Sequence, residues 1–121
     1  MRRYDPPTVP APIGSYAQAM EIDGSRRLLF ISGQIPEDVS GVVPTDFDDQ
    51  CRVVWRNVTA LLESAGLSTA NLVKVTTYLT DRAHADANSR IRREVLGEHR
   101  PALTVIIAQT LESRWLLEID A

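Results

Sequence analysis

The chain has 121 residues, 44% of them hydrophobic and 24% charged, with a formal net charge of −3. These values suit one globular domain with a single core, spanning 1–121, and argue against a surface built to neutralise nucleic-acid phosphates. One cysteine, Cys51, excludes an internal disulfide and a cysteine metal cluster. The longest apolar runs, 28–31 and 105–108, fall far short of the roughly 20 residues that cross a bilayer. The N-terminus has charge but no apolar stretch of the kind found in a signal peptide, so the expected location is the cytoplasm.

Pro6, Pro7, Pro10 and Pro12 favour an extended N-terminal arm over residues 1–14. Residues 16–22 then alternate as a strand, Asp23-Gly24 signals a hairpin turn, and 27–32 reads as the returning strand. A loop rich in Gly and Pro follows. Thr45, with Asp48 three residues on, reads as the cap of a helix carrying Phe47, Cys51, Val54, Val58, Leu61, Leu62 and Ala65 along one stripe. Gly66 is placed to end that helix.

The β-branched run at 72–79 predicts a third strand. Asp81 caps a second helix that turns Ala87, Ile91, Val95 and Leu96 inward and stops at Gly97. Strands at 103–108 and 115–119 close the order β-β-α-β-α-β-β. The class is therefore α+β, one sheet with both helices on one face. The opposite face, expected to be apolar, is left for another subunit to cover.

No zinc signature, phosphate loop, nucleophile elbow or dinucleotide fingerprint is present. His84 and His99 lack a third ligand candidate, and the cluster Arg90, Arg92 and Arg93 reads as a solvated helix face. Polar groups at strand ends are more informative: Tyr16 opens the first strand, and Ser32-Gly33-Gln34 closes the second. Glu118 interrupts an apolar last strand. If half-buried, a carboxylate there suits proton transfer or water activation, whereas simple alternation would point it to solvent. Asn88 by itself reads as a surface residue.

These positions also carry a resemblance. Pro12-Ile13-Gly14-Ser15-Tyr16-Ala17-Gln18-Ala19, Phe30-Ile31-Ser32-Gly33-Gln34-Ile35-Pro36, Val73-Lys74-Val75-Thr76-Thr77-Tyr78-Leu79-Thr80-Asp81, Asn88, Arg100-Pro101-Ala102 and Leu117-Glu118-Ile119 appear in this order. The set resembles the RidA (YjgF-like) family of enamine/imine deaminases. The resemblance implies a chorismate-mutase-like subunit assembling as a homotrimer around a central β-barrel, with small-molecule clefts between subunits. It implies hydrolysis of reactive enamines and imines to 2-keto acids and ammonia, with no cofactor and no metal.

By the same resemblance Glu118 is the catalytic residue that positions water, and Tyr16, Ser32, Gly33 and Asn88 belong to the substrate pocket. The family's carboxylate-binding arginine, just after Pro-Ala, is here Leu103, so a different substrate class is implied. Arg100 is a candidate substitute, although a solvated loop arginine is the plainer reading. The alternatives are a non-catalytic metabolite-binding trimer and, with less support, a ribonuclease or translation inhibitor.

Overall fold

The computed structural model describes residues 1–24 and 27–121. The tip of the expected hairpin, Ser25-Arg26, lies outside the described residues. The N-terminal arm is not merely extended: β1 (Arg2–Tyr4) pairs antiparallel with β2 (Ala19–Glu21), forming a two-stranded ribbon. Tyr4 Oη donates to Glu21 across it at 3.0 Å.

Helix α1 runs Phe47–Ser64. Its cap is Asp46, one residue later than expected, whose carboxylate accepts from the Asp49 N–H at 3.3 Å. Ending it, Gly66 takes φ +73°, which a side chain would resist. The buried stripe holds Phe47, Cys51, Val54, Val58 and Leu62 as the spacing requires, but Leu61 is exposed while Trp55 and Gln50 are buried. Gln50 owes its place to full pairing. Its Nε2 donates to the carbonyls of Pro44 (2.7 Å) and Arg114 (2.8 Å), and its Oε1 accepts from Leu116 N–H (2.8 Å). A buried amide is tolerated when its hydrogen bonds are made. This one ties α1 to the loop before the last strand.

Strand β3 (Lys74–Leu79) lies between β4 (Ala102–Ile107), parallel to it, and β5 (Leu117–Asp120), antiparallel. Asp81 accepts from Ala83 N–H at 2.8 Å and so caps a 3₁₀ turn, Arg82–His84, that leads into α2 (Ala85–Leu96). Helix α2 supplies the crossover that a parallel β3–β4 pair demands. Two segments extend the sheet margins. Ala17 bridges Ala102 in parallel, and residues 27–32, expected as a full strand, touch β5 only through Ile31, with Gln34 pairing just beyond them.

Both helices cover one side of the sheet. Val75, Thr77 and Leu79 of β3 and Leu117 and Ile119 of β5 are fully buried beneath them, in a core shared with Val54, Val58, Leu62 and Ile91. Each of these apolar side chains contributes about 1.5–3 kcal/mol by leaving water. The other side corrects the expectation of an apolar face. By strand alternation it carries Lys74, Thr76, Tyr78, Thr104, Glu118 and Asp120, with Ile106 as its large apolar residue, and Lys74 Nζ donates to Thr104 Oγ1 across it. Exposed apolar surface lies instead along β4, at Val105, Ile106 and Ile107, and on the 28–30 segment, where Phe30 is 85% exposed. No helix among the described residues is long and apolar enough to cross a membrane.

Candidate functional site

Ile31 and Ala121 exchange both backbone hydrogen bonds (2.7 and 3.2 Å), and Gln34 and Ile119 do the same (2.7 and 3.1 Å). Ser32 and Gly33 therefore face one residue, Asp120: a β-bulge, the kind of irregularity that re-aims side chains beside sites. Glu118 lies against this bulge. A Cβ at Gly33 would come within 2.9 Å of Glu118 Cδ and 3.1 Å of its Cγ, and would run into Oε1. The φ of Gly33 is not in the left-handed region, so glycine is required there for space alone. Glu118 is half-buried, the condition on which its chemistry turned.

Across the sheet, Glu118 stands opposite Tyr78. The Tyr78 hydroxyl bonds to Asp120, and that hydrogen bond, with burial and the charges of Asp120 and Glu118, raises its pKa above the ordinary tyrosine value. Two carboxylates, a phenol and the exposed Ser32 thus share one edge of the polar face. The Ser32 carbonyl accepts from Gln34 Nε2 at 2.8 Å.

The other expected residues are not in this group. Parallel register with Val75 puts Leu103 on the helix side of the sheet, partly buried against the core. Tyr16 precedes Ala17, whose N–H donates to the Pro101 carbonyl at 3.0 Å, so Tyr16 lies beside the entry to β4. Its hydroxyl is 3.4 Å from Ile13 N–H. Arg100 is exposed. Within one subunit the expected site is therefore divided, with Ser32, Gly33 and Glu118 at the β5 margin of the polar face and Tyr16 and Leu103 at the β4 margin on the helix side.

Asn88 is 2% exposed and its Oδ1 has no hydrogen-bond partner, so the surface reading is overturned. Arg92, one turn further along α2, is also buried, which corrects the solvated-face reading at that residue, while Arg90 and Arg93 are exposed as expected. Burial, with Arg93 alongside, pulls the Arg92 pKa below the ordinary arginine value. Spacing held the signal for both. Asn88, Ile91, Arg92, Val95 and Leu96 fall at the three- and four-residue steps of an inward stripe. Arg90 is instead a surface partner of Asp48 at 2.7 Å.

The histidines have structural roles: His84 stacks on Phe47 with ring centroids 4.4 Å apart, and His99 Nε2 bonds to the Leu72 carbonyl at 2.7 Å. No group of His, Cys, Asp and Glu among the described residues is arranged to hold a metal ion. Cys51 is fully buried, and burial above all, then Asp48, pushes its thiol up to about 12. A broad apolar concavity lies elsewhere, between the 28–31 segment and Leu62, Leu67 and Leu72. It brings in none of the expected site residues, so its size carries no weight for the chemistry.

Comparison with known proteins agrees with this architecture. The family model described as endoribonuclease L-PSP matches residues 7–121. A RutC family protein of Pyrococcus horikoshii is 39% identical over 114 residues, covering 93% of this chain and 88% of that one. The Escherichia coli protein provisionally named reactive intermediate deaminase TdcF is 33% identical over 116 residues, with the same shares covered. Among solved structures, a Rid-family protein of unknown function from Yersinia pestis superposes with a TM-score of 0.87 at 27% identity, over 98% of this chain and 94% of that one. RidA from an Antarctic Psychrobacter gives 0.72 at 28% identity, over 92% and 89%. The chain belongs to the endoribonuclease L-PSP family, the group that takes in the RutC- and RidA-named proteins.

Proposed function

We propose that the chain is a hydrolase of the deaminase type, acting on small reactive imines or enamines in a cleft between copies of itself in a homotrimer. The observation that carries this reading is Glu118, half-buried against the Ser32-Gly33 bulge, where only glycine leaves room for its carboxylate. In the reaction Glu118 accepts a proton from water as the oxygen attacks the C=N carbon. The proton is returned to nitrogen, the carbinolamine collapses, and a carbonyl and ammonia leave. Water and imine supply every atom, and the carboxylate ends unchanged.

Two features favour the assembly. The expected pocket residues lie at opposite margins of one subunit, so a site using both margins needs a second copy. The exposed apolar side chains of β4 and the 28–30 segment give copies a surface to associate through. The relative named for reactive-intermediate deamination favours the chemistry.

Leu103, apolar and packed toward the core, favours a second reading, a trimer that binds a metabolite without turning it over. Against an RNA-directed role, Arg52 and Arg90 are tied to Glu94 and Asp48 at 2.7 Å, which leaves no free basic stripe on that face.

The deciding experiment follows ammonia release from freshly generated amino-acid imines by the unmodified chain and by Glu118→Gln. A positioned base contributes about 10²–10⁴-fold, and a loss of that size with ligand affinity retained is the expected result. Equal activity in both proteins would remove Glu118 from the mechanism. No hydrolysis by the unmodified chain would leave the binding reading.

A further inference from the structure

Helix α2 carries a buried charge that no carboxylate among the described residues answers. Arg92 is 4% exposed and its Nε is buried without a hydrogen-bond partner. Its Nη2 donates to the Ser89 hydroxyl, one turn back, at a long 3.2 Å. Among the described residues no carboxylate pairs with it, while its surface neighbour Arg90 has two, Asp48 at 2.7 Å and Glu94 at 3.6 Å. A guanidinium taken out of water without a counter-ion is costly, and its fork of donors is shaped for two parallel bonds to one carboxylate.

The surroundings place this charge. Nη2 lies 3.8 Å from the point a Gly14 Cβ would occupy, and the ring edge of Tyr16 is 3.7 Å from the same point. Gly14 therefore keeps open a gap that any larger residue would fill. Tyr16 runs beside Pro101 and Ala102 through the Ala17 bridge, and Leu103 is the next residue of β4, on the helix side of the sheet. Arg92 of α2 and Tyr16 thus meet at Gly14, and Tyr16 is joined to the entry of β4 through Ala17. Ile13 and Gly14, beside the guanidinium, are both exposed.

The geometry points to Arg92 as the anion anchor of this site, holding the carboxylate of a small 2-imino or 2-keto acid and supplying from α2 the positive charge that Leu103 cannot. The assignment rests on the cleft reading above and narrows its substrate class to carboxylate-bearing imines. It also gives Arg100 no part in the anchor. Asn88, one turn before Arg92 with its Oδ1 unpaired, offers the same ligand an acceptor for an N–H.

The full chain, Arg92→Met and Arg92→Lys are each titrated calorimetrically with 2-oxopentanoate and with its uncharged amide, 2-oxopentanamide. Thermal melts and light scattering accompany each protein. Arg92→Met replaces an unpaired buried charge by an apolar side chain of similar length, so it is expected to melt no lower than the unmodified chain. The unmodified chain should prefer the acid, and Arg92→Met should lose acid affinity by about 10- to 100-fold with amide affinity unchanged. Arg92→Lys, which keeps the charge without the fork, should fall between them.

No acid binding, equal binding of acid and amide, or an Arg92→Met that holds the acid within twofold of the unmodified chain overturns the assignment. Loss of the assembly in Arg92→Met overturns it too, since the cation would then be answering a carboxylate of a second copy. The keto acid has no C=N bond, so this titration is independent of turnover. Acid preference without imine hydrolysis keeps the anchor and removes the hydrolase, and imine hydrolysis without acid preference does the reverse.

Discussion

Replacing Gly33 by alanine tests whether the bulge sets the position of Glu118. The added Cβ would stand 2.9 Å from Glu118 Cδ and 3.1 Å from Cγ, where unstrained carbon pairs keep about 3.5–4.0 Å. Oε1 lies closer still, so the carboxylate must retreat by at least about 1 Å. Misplacement on that scale costs on the order of 10²-fold in rate, so kcat for imine hydrolysis should fall about 10- to 100-fold. Stability should hardly move, because no backbone strain arises and two small effects offset one another. Gly33 needs no left-handed backbone, an alanine there gains about 0.4–1 kcal/mol through the unfolded chain, and turning a half-buried Glu to another rotamer costs about 0.5–1.5 kcal/mol. Kinetics and thermal melts are run on Gly33→Ala, Glu118→Gln and the double variant. If the bulge acts through Glu118, adding Gly33→Ala to Glu118→Gln changes nothing further. A Gly33→Ala protein with full kcat, or one that slows the Glu118→Gln protein just as much as the parent, refutes the reasoning.

Two other outcomes concern the frame that holds the site. Gln50→Leu strands the carbonyls of Pro44 and Arg114 and the N–H of Leu116 in the interior. It should destabilise the fold by about 2–4 kcal/mol in chemical denaturation, and an unchanged midpoint would show that these groups find water. The buried Cys51 thiol, pushed up to about 12, should resist alkylation at pH 8 until the chain is unfolded. Because its folded pKa lies above the unfolded value of about 8.5, the proton held by the native state favours folding below that value, and the contribution is lost as pH rises from there toward 12. Stability that rises between pH 9 and 11 in the native chain but not in Cys51→Ala would contradict the sign.

Most of the fold was legible because its signals are local and redundant. The α1 stripe, Gly66 and Gly97 beyond the helix ends, and the β-branched run of β3 each report one element in more than one way. The failures have identifiable causes. Thr45 and Asp46 are both capping residues, and sequence alone does not choose between adjacent ones. The 27–32 segment is rich in strand formers, yet among its described residues only Ile31 pairs with β5, since pairing depends on long-range neighbours as well as propensity. The reading of 1–14 as a free arm neglected that Arg2, Arg3 and Tyr4 could find an edge at Ala19–Glu21.

The site was legible in the opposite proportion. Glu118 drew attention as a carboxylate inside an apolar strand and Gly33 as part of Ser32-Gly33-Gln34, the resemblance gave both their expected roles, and the bulge sets them side by side. Asn88 and Arg92 were misplaced because binary patterning assigns polar residues to solvent, and here two of them occupy the inward stripe of α2. That rule misses Asn88 and Arg92 because it weighs polarity alone, and an unpaired amide oxygen and an unpaired guanidinium are each costly to bury. The spacing Asn88, Ile91, Arg92, Val95, Leu96 was readable without coordinates. Weighting helical period above residue polarity is the step that would have placed both on the inner stripe, where the resemblance alone had drawn attention to Asn88.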